Sequence, residues 1–239
     1  MPTTATMITA RDAASLIGWW RDAGVDTLVD EVPTPWLARS SAPVPPTAAS
    51  EVPAAAALPH TREAFTRWWM ESADIPGGGP PNRRVAPMGG TDSGIMVLID
   101  LPEPGDVEAG KLIAGEVGAL FDNMLSAIKL DRSQILMTAL APSRIPSGRI
   151  ARDDEKRLGE IALHHIGLVS PKRLWIVGEA ASRAILGMEL QSARGRKHIL
   201  NHNGGNVEAV ASLHPRLLVN NAQRKKLAWA DMQLLIEGL

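Results

Sequence analysis

"RLWIVGEAASRAILGM", Arg173–Met188, passes from an apolar run into a helical pattern through a single glycine. Leu174–Val177 is apolar throughout, as in a short strand buried on both faces. Glu179–Met188 then reads as a helix. Gly178 could present a helix N-terminus to an anion. The stretch lacks both G-x-G-x-x-G and a G-K-[ST] ending, so Gly178 reads as close strand-to-helix packing and not as a nucleotide site.

The same strand-then-helix unit recurs on either side. "IMVLID" (Ile95–Asp100) is a second apolar run. Gly115–Leu130 carries Val117, Leu120, Phe121, Met124, Leu125 and Ile128 on one helical stripe. "QILMTAL" (Gln134–Leu140) is a strand, and Asp153–Ser170 a helix stopped by Pro171. "NVEAVASLH" (Asn206–His214) is the last strand and Asn221–Glu237 the last helix. Four alternations predict an α/β fold, a three-layer α/β/α sandwich on a central, mainly parallel four-stranded sheet. Ligands of such sheets sit beyond the carboxyl ends of the strands. Asp100, Ala139, Gly178 and His214 stand there.

An N-terminal helical extension precedes this body. Thr9–Asp22 reads as a helix with Thr9 as N-cap, within a helical segment 1–31. Residues 32–60 are a Pro/Ala-rich linker. Residues 61–94 hold a second helix, Thr61–Ser72, and a Gly/Pro-rich loop, and 95–239 the main domain. Trp19-Trp20 and Trp68-Trp69 hold four of the seven tryptophans; both pairs are expected to bury against the body.

Composition sets limits. A net charge of -1 means that a nucleic-acid partner has to be argued from local clusters. No apolar run approaches the roughly 20 residues of a bilayer span, and the N-terminus lacks the basic start of a secretory signal. A cytoplasmic location without membrane contact is expected. The chain has no cysteine. Disulfides, thiol nucleophiles and thiolate-held zinc or iron–sulfur clusters are excluded.

"LIDLPEPGD" (Leu98–Asp106) puts a carboxylate at a strand end, able to orient water or to cap its own loop. "SLHPRLLVNNAQRKKLAWADM" (Ser212–Met232) puts His214 after a buried strand, where an imidazole can donate to a growing anion or serve structure alone. His164-His165 lies in a helix without an acid at ligand spacing, so no metal site is expected. Arg144, Arg149 and Arg152 form one basic group, "ARGRKH" (Ala193–His198) a second and "QRKK" (Gln223–Lys226) a third. Convergence of the three at one strand-end surface would suit a phosphate backbone.

In order and spacing, these pieces over Ile95–Leu239 resemble the uracil-DNA glycosylase superfamily, closest to its iron–sulfur (family four type) branch. "LIDLPEPG" matches that family's Gly-Glu-Ala-Pro-Gly, "GKLIAGEVGALFDNML" its Pro-Phe-Val-Gly and helix, and "LMTALAPSRIPSGR" its Thr-Asn and Arg-Pro-Pro loop. "SPKRLWIVGEAASRAIL", "ARGR" and "SLHPRLLVNNAQRKKLAWADM" match its later Pro-Lys strand, Arg-Gly, and His-Pro-x-x-Leu-Leu with Trp-x-Asp. The resemblance implies two catalytic residues: His214 stabilising negative charge on the departing base, and Asp100 placing water. It implies a base pocket at Leu101, Pro102, Ile113 and Ala139. DNA contacts would come from Arg144, Arg194, Arg196, Ser212, Arg216 and Lys225.

Departures from the family pattern are specific. Ile99 and Glu103 replace motif glycines. Ile113 stands where a Phe stacks on uracil, and Ala139 where an Asn reads its edge. Ser143 and Leu158 stand at cluster-cysteine positions, so no cofactor is expected. Asn220 stands where the family carries a basic residue. The resemblance implies a DNA-binding protein that hydrolyses the N-glycosidic bond of a damaged or deaminated base, as in base excision repair. One alternative is a catalytically degenerate fold that binds DNA, or a protein partner through the N-terminal Trp-bearing helices. Another is a hydrolase of free nucleosides or nucleotides.

Overall fold

The computed structural model describes residues 9–24 and 57–239. Met1–Glu51 and Val52–Leu239 are separate units. In the first, α1 (Ala10–Asp22) opens on a capping box: Asp12 N–H donates to the Thr9 hydroxyl, and Thr9 N–H donates to the Asp12 carboxylate. Within this unit Trp19 and Trp20 are exposed, as are Leu16 and Ile17. The linker expected over 32–60 lies outside the described residues, apart from its last four positions.

In the second unit, α2 (Arg62–Glu71) precedes β1 (Ile95–Ile99), α3 (Asp106–Ala109), α4 (Gly115–Ala127), β2 (Leu136–Ala139) and α5 (Arg152–Val169). β3 (Arg173–Val177), α6 (Glu179–Leu186), α7 (Leu190–Ala193), β4 (Lys197–His202), β5 (Gly205–Ser212) and α8 (Ala222–Ile236) follow. The sheet has five strands in the order β2-β1-β3-β5-β4. β2, β1, β3 and β5 run parallel, each pair joined through helices.

β1 shows why helices cover both faces. Successive side chains of a strand point to opposite sides. Met96 and Leu98 therefore join one apolar cluster, with Phe65 and Trp69 of α2, Leu158 and Ile161 of α5, and Ile185 of α6. Ile95, Val97 and Ile99 join the other, with Phe121 and Leu125 of α4 and Met232 and Leu235 of α8. Burying each such side chain stabilises the fold by about 1.5–3 kcal/mol. Residues 61–94 belong to this packing: Phe65, Trp69, Ile75 and Val85 are buried.

The sequence reading missed one strand, β4. It pairs antiparallel with β5 across Asn203-Gly204, with His202 opposite Gly205. Its first two residues, Lys197 and His198, belong to the basic cluster "ARGRKH", and Ile199–His202 to no expected element. Its partly exposed, mixed character is that of an edge strand, which needs no continuous apolar run. No helix among the described residues is long and apolar enough to cross a membrane.

Candidate functional site

Parallel register brings the strand ends level: Ile99 pairs with Ala139 and Val177, and Val177 with Ser212. Asp100, Ala139, Gly178 and His214 thus share one edge of the sheet.

Asp100 is buried, and its carboxylate caps α6. Oδ2 accepts from Glu179 N–H at 3.0 Å and Oδ1 from Ala181 N–H at 2.7 Å. Gly178 makes this possible: its φ is +132°, and a Cβ there would overlap the Asp100 carboxylate. Burial raises the pKa of Asp100, with the amide bonds opposing it. The Ala180 N–H adds to the two amides that hold the carboxylate charged. Asp100, Leu101 and Arg216 line a cleft of about 540 Å³ that also holds Arg149, Arg152 and Arg183.

His214 is 1% exposed. Pro215 starts a short 3-10 turn behind it, and Arg216 N–H donates to His214 Nδ1 at 3.3 Å. That bond makes Nδ1 the acceptor, so Nε2 carries the proton. Nε2 has no hydrogen-bond partner among the described residues. Burial, aided by the Arg216 charge, lowers the pKa to about 3, so the ring is neutral at neutral pH.

Glu103 Oε1 lies 3.5 Å from Nε2 and accepts from Arg216 Nη1 at 3.0 Å. Burial raises the Glu103 pKa, opposed by Arg216 and Arg144. Glu103 and Arg144 line a second cleft of about 760 Å³. The Glu103–Arg216 pair thus joins the walls of the two clefts, with His214 behind it.

The Pro-rich loop leading away from this pair is clamped. The Asp106 carboxylate, fully buried, accepts from the backbone N–H of Glu103, Ile113 and Ala114. From the other side Arg132 donates to the carbonyls of Leu112 and Ile113. Between them Ile113 sits at φ +51°, a costly conformation for a β-branched residue. Sequence reasoning named neither Asp106 nor Arg132. Gly105 and Gly110 flanking a four-residue helix hint at the first; nothing local marks the second, whose bonds to Leu112 and Ile113 span 20 and 19 residues.

The other expected site residues are placed as follows. Ile113 and Ala139, expected in the base pocket, are shut in the apolar cluster under α4 and α8, while Leu101 packs in the cluster on the other side of the sheet. Pro102 is buried, and its carbonyl accepts from Arg144 Nη1 at 3.1 Å. Arg194, expected on DNA, forms a buried ion pair with Asp231 at 2.7 Å. Ser212 is fully buried. Arg196 is exposed and donates to the Ser192 carbonyl. Lys225 lines a separate apolar groove with Leu120, Met124 and Trp229. Of the expected contacts, Arg144 and Arg216 flank the strand-end site.

The iron–sulfur positions do not fit a cluster. Ser143 donates its hydroxyl to the Gly77 carbonyl at 3.0 Å, and Leu158 is packed in the core with Phe65 and Trp69. Leucine offers no ligand atom, so these positions cannot hold such a group. Among the described residues, no group of three or more His, Cys, Asp or Glu could hold a metal ion.

The family model of the uracil DNA glycosylase superfamily matches residues 86–233. A Type-4 uracil-DNA glycosylase of Pyrobaculum aerophilum is 27% identical over 105 residues, covering 44% of this chain and 53% of its own length. The chain thus spans about half the length of that curated relative.

Proposed function

The chain belongs to the uracil DNA glycosylase superfamily, and on that premise we propose that it binds DNA and hydrolyses the N-glycosidic bond of a damaged or deaminated base. One observation carries the reading: a buried, neutral His214 whose Nε2–H is unpaired at the strand-end edge. The target nucleotide leaves the stack and enters the site. The C–N bond breaks with its electron pair going to the base, and His214 Nε2–H donates to the base oxygen where charge grows. A neutral donor fixed in a dry site needs no reorganisation at that moment. The sugar becomes cation-like, and water positioned by Asp100 adds to it, giving its proton to the Asp100 carboxylate, from which it passes to the departing base anion. Arg144, Arg149 and Arg216 supply phosphate contacts around the two clefts.

The closure of Ile113 and Ala139 in the core favours a second reading, a degenerate glycosylase fold that binds DNA without cutting the bond. Exposed Trp19 and Trp20 then offer a protein partner an aromatic face.

Base release from uracil- and hypoxanthine-containing strands, single and double, tests both. We expect release by the wild type that His214→Ala reduces at least about 100-fold. No release by a protein that still binds these strands would leave the binding module.

A further inference from the structure

We propose that Glu103 reads the base: with His214 it forms an acceptor–donor pair for a lactam edge, a ring N–H beside a carbonyl. The proposal rests on the reading of this site as a base-release centre.

Ala139 stands where the superfamily resemblance places the Asn that reads uracil, and alanine has no polar side chain to do so. Its position is also shut in the core. A buried site without a polar reader discriminates poorly between bases of similar shape. Yet two polar groups face each other at the strand ends. His214 Nε2–H is buried and unpaired. Glu103 Oε1 stands 3.5 Å from it, too far for a normal hydrogen bond between them. An unpaired buried donor is costly, and a ligand edge that bridges both groups satisfies it. That edge needs an acceptor for His214 and, beside it, a donor for Glu103.

A lactam supplies both. Uracil and hypoxanthine carry a ring N–H next to a carbonyl. Their parents, cytosine and adenine, carry a ring nitrogen lone pair at that place, which a carboxylate repels. Deamination therefore converts a base that Glu103 rejects into one it accepts. Arg216, 3.0 Å from the same carboxylate oxygen, balances the charge of Glu103, so the departing base meets a paired anion rather than a bare one. Asp106 holds the Glu103 backbone N–H at 2.7 Å, which fixes where the reader starts. The scheme separates uracil from cytosine but not from thymine, which has the same N–H.

The test compares affinities for strands carrying one 2′-fluorinated deoxyuridine or deoxycytidine, which resist cleavage, measured by fluorescence anisotropy. We expect the wild type to prefer uracil by roughly ten- to a hundredfold, the range for a hydrogen bond to a charged group. Glu103→Ala should bring the two affinities within about twofold of each other. Glu103→Gln keeps shape and folding, and its amide oxygen can stay on Arg216 while its NH2 faces the base. It should abolish the uracil preference or turn it toward cytosine. A purely structural Glu103 would leave the preference in place. Equal affinities in the wild type, or an unchanged preference in both variants, would overturn the proposal. Release is read separately with unmodified uracil. Preference without release supports Glu103 as reader and removes the hydrolytic reading alone.

Discussion

Two arginine–carboxylate pairs stand near the carboxyl end of β5 with different surroundings. Arg194 meets Asp231 at 2.7 Å, and the second Asp231 oxygen accepts from Gly195 N–H at 3.2 Å. Both side chains are within 9% exposure, so this pair closes on itself and ties α8 to the loop before β4. Arg216 meets Glu103 at 3.0 Å with its side chain 37% exposed, on the walls of two clefts and in front of an unpaired imidazole. The same chemistry closes on itself at Asp231, which accepts from Arg194 and Gly195, and leaves a donor over beside Glu103, where we propose recognition.

Removing either arginine should therefore give opposite results. Arg194→Ala leaves the Asp231 carboxylate buried and bare, and we expect a loss of about 3–5 kcal/mol in urea unfolding. The folded fraction should keep its DNA affinity. Asp106→Ala frees three backbone N–H groups and releases the strained Ile113 turn. Its expected cost is about 2–3 kcal/mol, with lowered base discrimination because Glu103 loses its anchor.

Acid sharpens the contrast next. His214 and His165 are both held neutral by burial, with pKa values lowered from 6.5 to about 3. The unfolded chain takes up these protons first as pH falls below 6.5, so stability is lost between pH 6.5 and about 3. Each imidazole contributes a slope of about 1.4 kcal/mol per pH unit. Asp100 and Glu103, with raised pKa values, oppose this at the acid end. Comparing His214→Asn with the wild type isolates one slope: urea midpoints should converge as pH drops from 7 to 5. Arg216→Ala is the smallest change in stability, about 1–2 kcal/mol: it bares the 9% exposed Glu103, but the arginine it removes is itself 37% exposed. If it destabilised as much as Arg194→Ala, the division between the two pairs would fail.

The parallel sheet was legible because Ile95–Ile99 and Leu174–Val177 are apolar on both faces, a pattern that only a covered sheet explains. β4 escaped because an edge strand carries no such signature. At the site, Asp100 and His214 could be placed from strand ends alone. Glu103 was visible only as a departure from a glycine. Its meaning depends on Arg216, which lies 113 residues away in sequence. The Arg194–Asp231 pair was hidden for the same reason: a basic cluster looks solvated until a distant acid is folded against it. Ile113 and Ala139 matched motif positions, but their surroundings are made by α4 and α8 packing, which no local pattern records.

The state of His214 tests the account most directly, by nitrogen-detected NMR of its side chain between pH 7 and 5. We predict a neutral ring throughout, protonated at Nε2 and bare at Nδ1, with no shift toward imidazolium above pH 5. A ring that titrates near 6.5, or that carries its proton on Nδ1, would contradict it, because Nε2 could then not be a fixed neutral donor.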